Sequence, residues 1–429
     1  MFQEFIQKMV KLLQQRKQNK GDKMEENIKV LILGTDINSY YMSRCYHELT
    51  GKKADTIGNR AIPYTNITNP IIVKDFNEKE NFKKALVEYG EKNKENKIIL
   101  IATSDLYVKM VAEERKILEK YYLFNYPEIE IVNNLLIKEK FYDIYKDMGI
   151  DMPKTYIYPC NKDKNVNEIK KHFKEYPIII KPSDGVEYHK LDSAGLAKVY
   201  KVHDEGELEK VIKIIENAGY NKNLIIQEFI PGDDSALFDS IFYVGKDEKA
   251  KLATFAQIGL QERTPTGIGN CTVLVNGFDE HGYKEEVVYK LKEFIEKIGY
   301  QGYAEFDMKY DARDNKYKVL EINPRQSRSG YYLTACGYNL VEYLINDLIY
   351  NKKMEFKIIK EKYVLSFVPK IIIKKYIKNN ILKNEIIKLI KNKKIINPLK
   401  YKNDKNLKRR LYLAYRDFNY LKKYKKYKF

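Results

Sequence analysis

Two carboxylates and an amide on what reads as one β-hairpin are the residues of this chain best placed to do chemistry. Glu305 to Tyr310 and Lys316 to Ile322 each alternate and are rich in β-formers, and Asp311, Arg313, Asp314 and Asn315 supply turn chemistry between them. Antiparallel pairing around a loop of about four or five residues brings Asp307 opposite Glu321 or within one residue of it. Glu321 and Asn323, two apart on a strand, share a face. Facing carboxylates repel unless a cation or a proton lies between them. A carboxylate, carboxylate and amide oxygen set suits Mg²⁺ that keeps phosphate and water in its other positions. Arg325 and Arg328 follow directly, and a guanidinium grips phosphate through two parallel donors. The run therefore reads as a metal-nucleotide site, although a solvated charged hairpin would carry the same pattern.

Lys181 closes the apolar strand Pro-Ile-Ile-Ile ahead of Pro182, Ser183, Asp184 and Gly185. An ammonium at the lip of a core suits the inner phosphates of a nucleotide; a snorkelling strand-end lysine is the plain alternative. Gln227, Glu228, Phe229 and Ile230 run into Pro231, Gly232, Asp233 and Asp234. Such a strand end can offer backbone groups to a purine, and an acid past the turn can accept hydrogen bonds from ribose, though Pro-Gly-Asp-Asp is also an ordinary turn. The loop from Ser183 to Gly195 could cover phosphates but is poor in glycine, and no G-x-x-x-x-G-K-[ST] occurs, which excludes a P-loop enzyme.

The elements that must position these groups follow from the pattern. From Ile28 strand and helix alternate: strands at 30–33, 71–76, 98–102 and 129–132, with helical segments after the first three. That order argues a parallel, doubly wound sheet. Its first turn offers Gly34 alone, so a dinucleotide fingerprint is absent. A helix over 134–148 ends at Gly149, and a mixed region begins near Pro153, with strands around 176–182, 197–202 and 224–230 and a helix from Glu205 to Ala218. Residues 1–27 read as a loosely held extension with an amphipathic pattern of Phe2, Ile6, Val10 and Leu13.

Charge is unevenly spread. Residues 352–429 hold 26 Lys and Arg against five acids, more than the whole chain's net charge of +19, so residues 1–351 are close to neutral. Ile373, Ile377, Ile381, Ile386, Leu389 and Ile390 form an apolar stripe among those lysines, which suits an anionic membrane surface or docking on the body. Basic residues interleaved with Tyr401, Tyr412, Tyr415, Tyr420, Tyr424 and Tyr427 would also fit a nucleic-acid-binding module, a weaker reading given the stripe. The four cysteines are scattered and the five histidines lack metal spacing, so a reducing compartment and no zinc site are expected. With no signal peptide and no long apolar run, the expected location is the cytoplasm, with a peripheral position at the inner face of the membrane if the tail reads lipid.

A strand ending in Lys-Pro, the run Gln-Glu-Phe-Ile-Pro-Gly-Asp-Asp, and a Phe-Asp-Met hairpin leading to Glu-Ile-Asn-Pro-Arg together resemble the ATP-grasp superfamily over about residues 28–350. VLILGTDINSYYMSR, FIPGDDS, TGIGN, FDMKYDARDNKYK and EINPRQSRS are similar to the D-aspartate ligases of Gram-positive cell-wall synthesis. The resemblance implies a Rossmann-like domain over 28–133 and an ATP-grasp domain over 134–350 with subdomains 134–226 and 227–350; beyond it, the charge pattern sets off a basic helical tail over 351–429. It also implies ATP and two magnesium ions. Lys138, with Lys140 as a fallback, and Lys181 would hold phosphates, the backbone around Glu228 and Ile230 adenine, Asp234 the ribose, and Asp307, Glu321 and Asn323 the metal. Arg325 and Arg328 would stabilise the transferred phosphoryl. The implied reaction turns a carboxylate into an acyl phosphate and captures it with an amine. The implied partners are D-aspartate and the lysine ε-amine of a muramyl peptide, and another ATP-grasp amide ligase acting on a surface polymer or small metabolite is the alternative. Val186, Glu187, Tyr188 and His189 depart from the glycine-rich covering loop of many superfamily members. Since the expected nucleotide ligands all precede residue 330, removal of residues 370–429 is expected to spare turnover.

Overall fold

A computed structural model describes residues 27–160, 165–184, 188, 191, 196–197, 199–264, 267–282 and 284–427. The segment around Phe2, Ile6, Val10 and Leu13 lies outside the described residues, as do Val186, Glu187, His189 and Lys190.

The first unit is a five-stranded parallel sheet. It contains β1 (Ile28–Leu33), α1 (Ile37–Thr50), β2 (Ala54–Gly58), β3 (Thr68–Ile72), α2 (Lys79–Lys92), β4 (Lys97–Ala102), α3 (Asp105–Glu113), α4 (Arg115–Leu118) and β5 (Tyr122–Leu123), in strand order β3-β2-β1-β4-β5. Val30 to Leu33 are all buried because helices cover both faces, hence the unbroken apolar run. Asp36 caps α1 by accepting from the Ser39 N–H at 3.0 Å, and Ser104 caps α3 by accepting from the Tyr107 N–H at 3.3 Å. Gly34 between them has φ +115°, and a Cβ there would lie 2.6 Å from Thr103 Oγ1, so the turn after β1 needs glycine.

Three expectations change here. Residues 129–132 are not a strand but the first turn of α5 (Ile129–Leu136), whose buried Val132 and Leu135 are three apart. Four alternating residues fit either period, and packing chose the helix. The strand expected over 71–76 stops at Ile72, and β2, short and partly polar, was not anticipated. The helix expected over 134–148 is broken at Ile137, which takes an extended conformation so that α6 (Lys138–Ile144) starts afresh on Lys138.

Beyond it β6 (Thr155–Pro159), α7 (Val166–His172), β7 (Ile178–Pro182), β8 (Tyr200–Val202), α8 (Glu205–Asn217) and β9 (Asn223–Glu228) form a four-stranded antiparallel sheet ordered β6-β9-β7-β8. Then come β10 (Leu237–Val244), β11 (Ala250–Thr254), β12 (Ala256–Gln261), β13 (Cys271–Asn276), α9 (Glu285–Lys297), β14 (Gly302–Asp311) and β15 (Lys316–Asn323). After them follow α10 (Tyr331–Ala335), α11 (Leu340–Leu348), β16 (Lys357–Ile359), β17 (Tyr363–Ser366), α12 (Lys370–Tyr376), α13 (Asn380–Lys391), β18 (Ile395–Ile396) and α14 (Leu407–Lys426). The large sheet has nine strands, ordered β15-β14-β10-β12-β13-β17-β18, with β11 pairing both β10 and β16.

The basic end of the chain is thus part of the body. β16, β17 and β18 extend the large sheet, and Ile373, Ile377, Ile386 and Leu389 are buried in the same core as Val30, Tyr40 and Leu365. Of the two readings of the apolar stripe, docking on the body is the one these residues follow, although Ile381 stays 62% exposed. Tyr420 and Tyr424 are buried too, and Tyr401 packs edge-on against His47, so much of the tyrosine and cation interleaving serves packing.

Asp404, buried in that segment, accepts from Tyr40 Oη at 3.0 Å, Thr65 Oγ1 at 2.8 Å and the Asn66 N–H at 2.8 Å, and pairs with Arg409 at 3.1 Å. Arg409 also stacks 3.6 Å over the Tyr40 ring. This knot fastens the chain end to the parallel-sheet domain. Asp404→Ala is expected to lower unfolding stability by about 3–5 kcal/mol, because a buried guanidinium loses its counter-ion. Denaturant titration checks this; a loss below about 1 kcal/mol, the range of exposed pairs, would show that the knot carries no load. Deleting residues 370–429 should leave insoluble protein rather than a competent core.

Candidate active site

Strands β14 and β15 pair with Asp307 opposite Glu321 and Glu305 opposite Asn323. Asn315, at φ +56°, closes the turn and accepts from Tyr310 Oη at 2.6 Å. On the other side of β14, Asp239 of β10 lies opposite Asp307. Asp239, Asp307 and Glu321 therefore form a row across three adjacent strands, flanked by Glu305.

Asp239 and Glu305 are buried and Asp307 is half-buried, while the Glu321 side chain is 44% exposed; so many acids side by side are electrostatically costly. Burial, helped by Glu305, pushes the Asp239 carboxyl up to about 8. Burial followed by Glu305, Glu321 and Asp239 pushes Asp307 well above the carboxylate range. Hydrogen bonds absorb part of the charge: Asp239 accepts from Ser329 Oγ at 2.7 Å and Ser327 Oγ at 3.1 Å, and Asn323 Nδ2 donates to Asp307 at 3.1 Å and Glu305 at 3.3 Å. Lys138, opening α6, donates to Glu321 Oε2 at 2.8 Å, and that carboxylate holds its ammonium above the ordinary lysine value.

Among the described residues no three His, Cys, Asp or Glu side chains close around a single point. A cation held by Asp307, Glu321 and Asn323 would complete its shell with oxygens from outside the protein, as Mg²⁺ does on a polyphosphate. The donor set fits that ion.

Lys181 lies in β7 and donates to Gln227 Oε1 at 3.1 Å. Glu228 ends β9; burial pushes its carboxyl up, but donors from Lys154 N–H, Lys318 and Arg313 outweigh this and leave it below the ordinary value. Its own N–H is donated to Lys154 O at 3.1 Å, and Ile230 just beyond is buried. Asp234 accepts from the Gln261 N–H at 3.1 Å, Gln261 Nε2 at 3.0 Å and Arg263 at 3.2 Å, so a ribose there would compete with two protein partners.

Arg325 joins two domains. Its Nε pairs with Asp105 at the start of α3 at 2.8 Å, and its Nη1 donates to Glu305 at 3.0 Å. Beside it opens a cavity of about 520 Å³. One wall is the turns capping α1 and α3, with Asp36, Asn38, Ser104 and Asp105; Arg325, Arg328 and Glu262 form another. The third is α14, through Arg416, Asn419, Tyr420 and Lys423. Arg328 approaches Glu262 at 3.6 Å, and among the described residues its buried Nε has no hydrogen-bond partner. Tyr420 Oη and Lys423 reach the same glutamate at 3.1 and 3.2 Å. Arg416 has no carboxylate partner among the described residues; it donates to Tyr412 Oη at 3.5 Å. The structure thus brings Lys138, Asp307, Glu321, Asn323 and Arg325 together, with Arg328 on the same cavity wall as Arg325, and sets Asp234 against Gln261 and Arg263.

Sequence reasoning missed Asp239, Glu305, Asp105, Glu262, Arg416 and Lys423. Asp239 had a signal, a lone acid inside a mostly apolar strand; Glu305 had a weaker one, an acid two residues before Asp307 on the same face of β14. Arg416 and Lys423, on one face of a lysine-rich helix, had none.

Because Asp239 binds its proton more tightly folded than unfolded, its contribution is present at low pH and is lost as pH rises from about 4 towards about 8. Denaturant stability of the metal-free protein should fall across that window, Mg-ATP should restore it, and Asp239→Asn should flatten the profile. Stability that climbs with pH across the window would contradict the charge analysis.

Residues 137–329 match the ATP-grasp domain family. Over 418 residues the chain is 30% identical to a D-aspartate ligase of Enterococcus faecium (strain Aus0004), covering 94% of this chain and 97% of that one. Among solved structures, the biotin carboxylase domain of the Hydrogenobacter thermophilus 2-oxoglutarate carboxylase, in complex with MgADP, superposes with a TM-score of 0.59 at 15% identity, covering 78% of this chain and 73% of that one. An N5-carboxyaminoimidazole ribonucleotide synthetase in its ADP complex gives 0.59 at 13%, covering 79% and 81%. At such identities these two speak to the fold. With the fold, the carboxylate row and a full-length relative in agreement, the chain belongs to the ATP-grasp superfamily of carboxylate–amine ligases.

Proposed function

We propose that the protein is a D-aspartate ligase that joins the β-carboxylate of D-aspartate to the lysine ε-amine of a peptidoglycan precursor stem peptide. The observation that carries this reading is that Arg325 borders both the carboxylate row and the cavity. Phosphate chemistry and an amino-acid pocket are then adjacent. The full-length likeness to a D-aspartate ligase supplies the substrate class.

In this reading Lys138 and Lys181 grip phosphates, the backbone near Glu228 and Ile230 receives adenine, and Asp234 turns from Gln261 to the ribose. Asp307, Glu321 and Asn323 would hold magnesium, two ions in the family's pattern, which would supply positive charge against the polyphosphate. A β-carboxylate oxygen attacks the γ-phosphorus and ADP leaves. The amine then attacks the acyl carbon and phosphate departs. Arg325 and Arg328 stabilise the phosphoryl group in flight, and no protein nucleophile is required. Arg416 is suited to the α-carboxylate, because it borders the cavity without an acid partner of its own among the described residues.

Purified protein given Mg-ATP, a panel of D- and L-amino acids and a lysine-containing muramyl pentapeptide tests the reading through phosphate release and product mass. D-aspartate should clearly outperform L-aspartate and D-glutamate. ATP consumption with an unrelated acid and none with D-aspartate would overturn the substrate while leaving the ligase. Asp307→Asn and Glu321→Gln should each lose most turnover while folding normally, since each removes charge from the metal's ligand set without removing volume; unchanged turnover would sink the metal assignment. Arg416→Ala and Arg328→Lys should raise KM for the amino acid about tenfold or more and leave KM for ATP little changed. A shift confined to ATP would move both residues to the nucleotide.

A further inference from the structure

The twenty-residue helix α14 has three distinct faces. Arg409, Leu413, Tyr420 and Tyr424 are buried against the body, and Arg416, Asn419 and Lys423 meet the cavity. The third face carries Leu407, Leu411, Tyr415 and Phe418, spaced by four, four and three, at 71%, 65%, 62% and 52% exposure, and Leu421 continues it at 40%. Large side chains left this open on one helix face are not needed for packing, and an unbroken row of them marks an interaction surface.

Charge selects the partner. The helix holds eight Lys and Arg against the single acid Asp417. Lys408 and Arg410 lie beside the row near its start, and Lys422 and Lys425 near its end. A nucleic acid would use the cations but has no use for a row of leucine and phenylalanine, and a second copy of this face would oppose cations with cations. An anionic bilayer takes both at once, apolar side chains at the acyl boundary and lysines among the headgroups.

We propose that this face of α14 seats the protein on an anionic membrane surface. The membrane contact is therefore centred not on the isoleucine stripe of α12 and α13, which apart from Ile381 the body has largely covered, but on the outer side of the helix that walls the cavity. No helix among the described residues is long and apolar enough to cross a membrane, so the contact is peripheral.

The full chain should cosediment with phosphatidylglycerol vesicles and much less with phosphatidylcholine vesicles, with binding that weakens as salt rises. Leu411→Asp combined with Phe418→Asp should reduce binding at least tenfold while turnover on soluble substrates holds. The chain contains no tryptophan, so Phe418→Trp supplies a single reporter whose emission should shift to the blue on phosphatidylglycerol alone, independently of how the double variant folds. Equal binding to both lipids, an unshifted Phe418→Trp emission, or a dimer in solution that the double variant splits would each overturn the proposal, the last by assigning the face to self-association.

Discussion

Like-charge repulsion in a row of carboxylates that runs from the buried Asp239 to the half-exposed Glu321 is the constraint around which this protein is built. Asp239, Asp307 and Glu321 occupy matched positions on three neighbouring strands, where backbone pairing fixes their separation and leaves them no room to swing apart. Each cation that answers them comes from elsewhere in the chain: Lys138 from the start of α6, Arg325 from just past β15. The break at Ile137 has a purpose in this light, since an uninterrupted helix would not begin on Lys138 beneath Glu321. A nucleotide bringing Mg²⁺ would supply the charge that the protein withholds, and so would bind where the row most needs it.

Arg325 shows how the domains share one site. The same guanidinium reaches Glu305 in the large sheet and Asp105 at the start of α3, so the parallel-sheet domain is tied to the chemistry by an ion pair as well as by packing. The C-terminal segment is tied in at two points, by the Asp404 knot and by the convergence of Arg328, Tyr420 and Lys423 on Glu262. A chain end that looks like an appendage in composition is a wall of the cavity.

Much of the site was legible before the structure. That Asp307 lies opposite Glu321 or within one residue of it followed from alternation and turn residues, because a hairpin is local and its register is set by a short loop; the register shift between Asp307 and Met308 that sets it directly opposite Glu321 was not legible. The parallel sheet was legible from the alternation of strand and helix, apart from the short, partly polar β2, the end of the strand expected over 71–76, and 129–132, where four residues could not separate a period of two from one of 3.6. What escaped was non-local. Asp239 joins the row through a strand more than sixty residues away in the chain, and Arg416 reaches the cavity only because Tyr420 and Tyr424 are buried beside it. The stripe of Ile373 and Ile386 was rightly read as an apolar face, but nothing local distinguishes a face that meets lipid from one that meets the protein's own core.

The account stands on a divalent cation lying between β14 and β15. Crystals grown with Mn²⁺ and a non-hydrolysable ATP analogue measure this directly through the anomalous signal of the metal. The account predicts a peak within about 2.5 Å of Asp307, Glu321 and Asn323 oxygens, with Lys138 displaced from Glu321 towards the phosphates. A nucleotide bound with its metal elsewhere, and Lys138 still closed on Glu321, would contradict it.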